Sequence, residues 1–536
     1  METKMRISKR FLVATTALTL SMSAAAHADD NKAFLEQIGS DNSASVDQSL
    51  GNTNQAGGQQ GSSSASGNAM VQNGEGNSLD IVQSGDDNFI GVRRGQGGVN
   101  NGVTQTGDDN SATVTQSSVT NFVNVIEQTA TSFLSVGNEL TITQSSVGNA
   151  PRSGPLSGDG NLLSGVRQTS TGLVKNSVTV SQNVNVANGS SYTRNQIGGN
   201  LNQNENAGLI FENSNLNQGN NGVVQVGWGN SANLTQDGTR NFIKLVDQAG
   251  GSNTAIATQN GAFNRISTIA QSGTGPFGFG GNIAIVSQSG SNNGRGGLTL
   301  PNAGSVGATD SSILQSGIGN SVNYAALGDS NEFGFTQSGN GNTVGSVSVV
   351  GSGNQTAGFQ DGNANIITII PIVGDDNDVG VKQVGTVNVA TAILTNGSDR
   401  NALLIDQNGG FNVATMSVNG DDNVAKLDQT GTGNNFILAM VGDANNNTAL
   451  SGTFSGNAAS LGLTEGVFTQ DGAGNSFLGS VIGSNNLMAS LQDGNNNAIV
   501  ASVVGGANQA AVSQVGNSNT ANFTQTGGSN NAGILQ

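Results

Sequence analysis

Between Gln225 and Gln271 the chain repeats one short pattern head to tail, and a fixed period constrains a fold more than any other sequence feature. The units Gln225-Val-Gly227-Trp-Gly-Asn230-Ser-Ala-Asn-Leu-Thr-Gln236 and Gln248-Ala-Gly250-Gly-Ser-Asn253-Thr-Ala-Ile-Ala-Thr-Gln259 share the form Gln-x-Gly-x-x-Asn-x-Ala-x-x-x-Gln. The closing Gln of one unit opens the next. From Gln315 onward the leading Gln recurs at 337, 360, 383, 407, 429, 470, 492, 514 and 536, mostly 22 or 23 residues apart. Between these lies a second half-repeat whose leading Gln is often aliphatic, as in Val349-Val-Gly351, Val418-Asn-Gly420 and Val503-Val-Gly505. One repeat is therefore two strands and two turns. The organisation expected is a leader at 1–28, repeats with a Gly/Ser-rich loop at 29–150, and degraded repeats at 151–221. The main array follows at 222–536, with an insertion at 273–310. Loops inserted at the rim of a solenoid account for both interruptions.

A strand places alternate residues on opposite faces. In Asn519-Thr-Ala521-Asn-Phe523-Thr-Gln525 this puts Asn519, Ala521, Phe523 and Gln525 on one face and Thr520, Asn522 and Thr524 on the other. The apolar positions must point inward, so the flanking amides do too. A buried amide is costly unless hydrogen-bonded. In rungs stacked about 4.8 Å apart, each amide reaches its copy above and below. The expected inward ladder therefore includes Gln225, Asn230, Gln236, Gln248, Asn253, Gln259, Gln492, Asn497, Gln514, Asn519, Gln525 and Asn530. Gly227, Gly250, Gly494, Gly516 and Gly527 are expected to supply turns needing positive φ. The fold class that follows is all-β: a β-solenoid of strand-turn-strand rungs with parallel pairing between rungs.

Composition restricts the function. The formal charge is −17 and no basic patch occurs after the first ten residues, which disfavours nucleic acid and anionic membranes as partners. Residues 1–28 read as a signal peptide: Lys4, Arg6, Lys9 and Arg10 precede a mostly apolar Phe11–Met22, and Ala26-His27-Ala28 is a small-x-small cleavage site. No later segment reads as a membrane span. The chain has no Cys, and its single His lies in that leader. Ser-His, Cys-His and His-metal arrangements are thus excluded after the leader, and no cofactor is expected.

The repeat resembles the curlin repeat of the curli fibre subunits, a family of bacterial extracellular amyloids. Gln37–Gln48, Gln105–Gln116, Gln225–Gln236, Gln248–Gln259 and Gln514–Gln525 carry the pattern in full. The resemblance implies a secreted fibre subunit, exported through the periplasm to the cell surface and used in adhesion and biofilm matrix. It also implies self-polymerisation, with a nucleator subunit and an outer-membrane secretion pore as further partners. The leading Ser of the major-subunit repeat is usually Asn here, as at Asn354 and Asn508, somewhat as in the nucleator.

Paired carboxylates recur in the turns: Asp86-Asp87, Asp108-Asp109, Asp375-Asp376 and Asp421-Asp422. Stacking of Asp86 near Asp108, if Gln83 and Gln105 begin adjacent rungs, offers oxygen ligands to a hard cation such as Ca²⁺. The favoured reading is a solvated turn whose like charges act as gatekeepers against premature stacking. A β-helix polysaccharide-cleaving enzyme is the less favoured class, because Trp228, Tyr192 and Tyr324 are scattered rather than grouped as a sugar platform. Trp228 is expected in an exposed turn; Phe436, Phe477 and Phe523 are expected in the core. A capped, monomeric surface adhesin is the alternative to a fibre, and no capping segment is recognisable in Gln525–Gln536.

Overall fold

A computed structural model of the chain describes residues 31–57, 69–91, 102–119, 121–131, 136–146, 160–184, 195–198, 222–273, 281–300, 306–395 and 397–536. The expected leader at 1–28, Tyr192 and much of 151–221 lie outside the described residues. Contacts divide the chain into two compact units, 1–231 and 232–536. Each is a β-solenoid built from two parallel sheets, and neither sheet closes into a barrel.

In the unit 232–536 each rung places one strand in a first sheet and the next strand in a second. Gln509–Val515 belongs to the first sheet and Thr520–Thr526 to the second. Each pairs in parallel with the strand one full repeat away: Gln514 lies opposite Gln492, and Gln525 opposite Val503. Consecutive units thus alternate between sheets and do not stack on one another. The same holds in the unit 1–231, where Gln105 pairs with Gln72 and Gln83 pairs with Gln116. The expected stacking of Asp86 on Asp108 is corrected accordingly. Those two residues lie on opposite arcs of the rung, because a rung contains two units rather than one.

The core lies between the sheets. Leu403 and Ile405 face Ala414 and Met416 in one rung, all fully buried. Large and small side chains compensate across rungs. The Phe436 and Phe477 rings stack with centroids 4.6 Å apart, and a Cβ on Gly479 would lie 2.4 Å from the Phe477 ring. Tyr324 is likewise buried and stacks on Phe333 at 4.7 Å. Phe523 points inward and is half-buried.

Several insertions enter the rung at one point, early in a first-sheet strand, whereas others, such as 274–280, lie at the arc between strands of the two sheets. In the rung 121–130 the run Phe122-Val123-Asn124-Val125-Ile126 is continuous, and Val123 and Ile126 pair with Ile90 and Val103 of the preceding rung. There, residues 92–101 are inserted between Gly91 and Gly102. Residues 58–68 enter between Gly57 and Ala69 at the same place. In the unit 232–536 two insertions use this site and fold back over the outer face of the first sheet. Leu300 and Val306 pack on Ala357 and Ala402. Phe454 and Ala458, from a segment containing the short helices Thr448–Ser451 and Gly456–Ala459, pack on Leu487, Ala489 and Ala511. Small residues on the sheet make room: a Cβ on Gly380 would lie 2.9 Å from Val306, and one on Gly533 would meet the Asn457 carbonyl oxygen. These two segments are straps across an otherwise open sheet.

Candidate functional site

The candidate site is the set of amide ladders that bond each rung to the next. In the first sheet of the unit 232–536 the ladder runs from Gln248 through Gln271, 315, 337, 360, 383, 407, 429, 470, 492 and 514 to Gln536. Each Nε2–H donates to the Oε1 of the next Gln at 2.7–3.1 Å. The same nitrogen also donates across the core; Gln407 Nε2–H reaches the Val389 carbonyl at 3.1 Å. Glu in place of Gln has no such donors, which is why the amide is required.

The second sheet differs. Its ladder runs from Gln236 to Gln259 and Gln288, each bond 2.9 Å, and then gives way to Ala326, Val349, Val418, Met440, Val481 and Val503 in the same inward column. Neighbouring rungs of a column tend to be alike, since an isolated amide is buried without an amide partner. Gln525 is such a case, because it follows Val503 in the apolar run and its Oε1 has no partner among the described residues; it therefore stands outside the expected Gln ladder. In the unit 1–231 both sheets carry amides: Gln37, Gln72, Gln105, Gln128, Gln168 and Gln225 in one, and Gln48, Gln83, Gln116, Gln144 and Gln182 in the other.

Asn occupies both arcs of the rung, and at Asn354 its whole hydrogen-bonding capacity is used. Asn354 Nδ2–H donates to Asn331 Oδ1 at 3.1 Å and to the Gly374 carbonyl at 2.8 Å. Its Oδ1 accepts from both the backbone N–H and Nδ2–H of Asn377, each at 3.0 Å. Asn230 is fully buried, and its backbone N–H donates to Asn176 Oδ1. Asn253, Asn497, Asn519 and Asn530 occupy the equivalent place in their rungs. Asn519 and Asn530 retain partial exposure, whereas Gln225, Gln236, Gln248, Gln259, Gln492 and Gln514 are fully buried and Gln525 nearly so.

Where a further rung follows, a turn glycine has a second reason for being glycine. Gly227, Gly250, Gly494, Gly516 and Gly527 take φ of 123°, 101°, 119°, 115° and 108°. At Gly494 a Cβ would also lie 1.9 Å from the Gly516 carbonyl oxygen of the next rung. Two residues later the chain again takes positive φ, near 60°, but in open space. Asn496, Ser518 and Asp422 stand there, as does Gly433, around which nothing lies within 4 Å.

The turn carboxylates are bonded between rungs. Asp86 Oδ1 accepts from the Asn52 N–H at 2.7 Å, and Asp108 Oδ1 from the Glu75 N–H at 3.0 Å. In the other unit Asp375 accepts from Ser352, Asp399 from Asp375, Asp421 from Asp399 and Asp443 from Asp421, at 2.7–2.9 Å. In the adjacent column Arg400 lies between Asp376 and Asp422 and binds Asp422 in a fork of two 2.8 Å bonds; these contacts raise its affinity for its proton further. Asp87 and Asp109 take φ of 58° beside their partners. Among the described residues no group of three or more His, Cys, Asp or Glu is placed to hold a metal ion. Trp228 closes the strand Val223–Trp228 and is half-buried against Gly172, rather than standing in an exposed turn.

Two stretches, residues 74–117 and 399–431, match the family model of the curlin associated repeat. The chain carries curlin-type repeats. Both matches fall on rungs with the ladder just described, one in each unit. No curated protein matches the chain. Among the described residues no helix is long and apolar enough to cross a membrane.

One residue not signalled by the repeat fastens the strap whose described residues are 294–300 and 306–311. Glu332 points outward from the first sheet but is buried beneath the strap. Its Oε1 accepts from the backbone N–H groups of Arg295, at 3.0 Å, and Gly296, while Oε2 has no partner among the described residues. Burial, with Asp310 nearby, pushes its pKa up from 4.5 to about 7 against the effect of those donors. The folded state therefore holds the proton more tightly than the unfolded chain. Its stabilisation is fully present below pH 4.5 and is lost as the pH rises through about 7. The full window corresponds to roughly 3 kcal/mol at most. Protection of the strap amides from hydrogen exchange, corrected for intrinsic rates, is expected to fall between pH 4.5 and 8. Glu332→Gln keeps the acceptor oxygen and is expected to abolish that fall. An unchanged pH profile in Glu332→Gln would remove Glu332 as its cause.

Proposed function

We propose that the chain is the structural subunit of a secreted, curli-like extracellular fibre, polymerising end to end and serving in cell adhesion and biofilm matrix. The observation that carries this reading is that each column of rung-to-rung bonds keeps the same partners and the same polarity from rung to rung. Each first-sheet Gln offers Nε2–H, and each arc Asn offers Oδ1, toward the following rung. A second copy that presents the complementary groups of its own rungs continues the ladders without any new kind of contact. Such a head-to-tail contact propagates rather than closes. Export by way of the periplasm follows from the leader-like residues 1–28, and a nucleator subunit and a secretion pore follow from the family likeness.

The test is assembly kinetics. Replacing Gln514 and Gln525 by Ala is expected to slow fibre growth at least about tenfold, since loss of Gln514 strands Gln492 and Gln536 at about 1–3 kcal/mol each and loss of Gln525 frees the Gln509 carbonyl. Replacing the outward Thr520 and Thr524 by Ala is expected to leave it within about twofold. Equal effects of the two pairs would count against ladder-driven growth.

A further inference from the structure

The two sheets of the unit 232–536 present different outer faces. Among the described residues, the second-sheet strands from Thr254–Ala262 to Thr520–Thr526 contain no Asp, Glu, Lys or Arg. The first-sheet strands hold the strand charges, among them Lys382, Asp406, Lys426 and Asp428, and Lys382 pairs with Asp406 at 2.9 Å. Both straps also lie on the first sheet.

On the second sheet, three successive rungs carry an exposed aliphatic surface. Ile437, Leu478 and Val500 stand in one outward column in register, exposed by 40%, 49% and 43%. Val441, Ile482 and Val504 form a parallel column four residues along the same strands. Between the two columns runs a line of small residues, Ala439, Ser480 and Ser502. At the positions in register with the patch the flanking rungs are polar, with Thr415, Ser417 and Asn419 on one side and Asn522, Thr524 and Thr526 on the other, while Val413, exposed by 40%, lies beyond them. An apolar patch with a polar rim marks an interaction site rather than ordinary surface.

We propose that this face is a lateral docking surface for a second copy of the chain, packed second sheet to second sheet through the strands Asn435–Val441, Ser476–Ile482 and Ala498–Val504. Two ridges of aliphatic side chains flanking a furrow of Ala and Ser are self-complementary, as a two-fold contact requires. The interdigitation is that of two sheets packed face to face about 10 Å apart. Charge selects the occupant. A chain with a formal charge of −17 repels its copies, and this uncharged face is where two of them approach without opposing like charges. The contact involves few side chains beside the roughly 800 Å² per partner of a stable complex, so single pairs associate weakly. This association runs across the strand stacks and does not depend on end-to-end growth.

The absence of Cys makes cross-linking specific. Ser480→Cys sits at the centre of the patch, and Thr430→Cys, exposed on the first sheet, is the control. With the soluble full chain and a short bis-maleimide, Ser480→Cys is expected to give covalent dimers at least about tenfold more than Thr430→Cys. Adding Val500→Lys to Ser480→Cys, an outward change that leaves the core untouched, is expected to return the yield to the control level. Equal yields at the two cysteines, no dimer from Ser480→Cys, or a yield insensitive to Val500→Lys would each overturn the proposal.

Discussion

Gly494→Ala is expected to separate its rung from the next one. The φ of 119° is a conformation that side chains rarely take, and the added Cβ would lie 1.9 Å from the Gly516 carbonyl oxygen. Strain of this kind costs about 1–3 kcal/mol. The overlap adds to it, because relieving it means moving backbone that also accepts from Asn475 Nδ2–H through the Gly494 carbonyl, at 2.9 Å. A total above about 4 kcal/mol corresponds to a loss of roughly a thousandfold in hydrogen-exchange protection. The loss should centre on the strands Leu487–Asp493 and Gln509–Val515, since a solenoid opens locally between neighbouring repeats. Gly433→Asn tests the opposite expectation. There φ is 66° in open space, Asn and Asp tolerate that conformation, and protection is expected to change by no more than about 0.5 kcal/mol.

Gln407→Ala is expected to have the other large effect. Gln407 accepts from Gln383 and donates to Gln429, both at 2.8 Å, in a fully buried column. Truncation leaves those two amides short of a partner at about 1–3 kcal/mol each, and opens a cavity besides. A loss of about 3–5 kcal/mol in the strands Ala402–Gly410 and Val424–Thr432 is expected. The adjacent outward residue provides the comparison: Asn408→Ala is expected to stay within about 0.5 kcal/mol. Comparable losses at the two positions would mean that the Gln column does not carry rung-to-rung stability.

The residues that alternate in and out were legible in the sequence because strand periodicity is local. Gln236, Asn253 and Ala521 needed only their neighbours to be assigned a face. Partners were harder to read, because pairing depends on how many units make a rung. Asp86 and Asp108 carry the same local pattern and still lie on opposite arcs. The straps were the least legible, since their fit is a property of distant residues. The spacing of 41 between Gln429 and Gln470, against the usual 22 or 23, was the available signal for the second strap. Its seat is the run of small outward residues Ala489, Ala511 and Gly533, which have meaning only once three rungs are stacked. Glu332 resembles an ordinary exposed strand acid until the strap above it is placed.

The division of labour between the sheets follows from the same chemistry. In the unit 232–536 the first sheet keeps an unbroken amide column and the second exchanges its own for aliphatic residues from Ala326 to Val503. Beside the main-chain pairing of both sheets, inward side-chain bonding along the axis there rests on one Gln column and two Asn columns. That is sufficient for directional growth, because every rung offers the following one the same donors and acceptors.

The central claim, that stacked curlin-type rungs continue from one copy into the next, is tested most directly by fibre diffraction on the purified chain after prolonged incubation with an amyloid dye. The account predicts dye binding that rises with time and a meridional reflection at about 4.8 Å from aligned fibres. Soluble, dye-negative monomers that give no such reflection would contradict it.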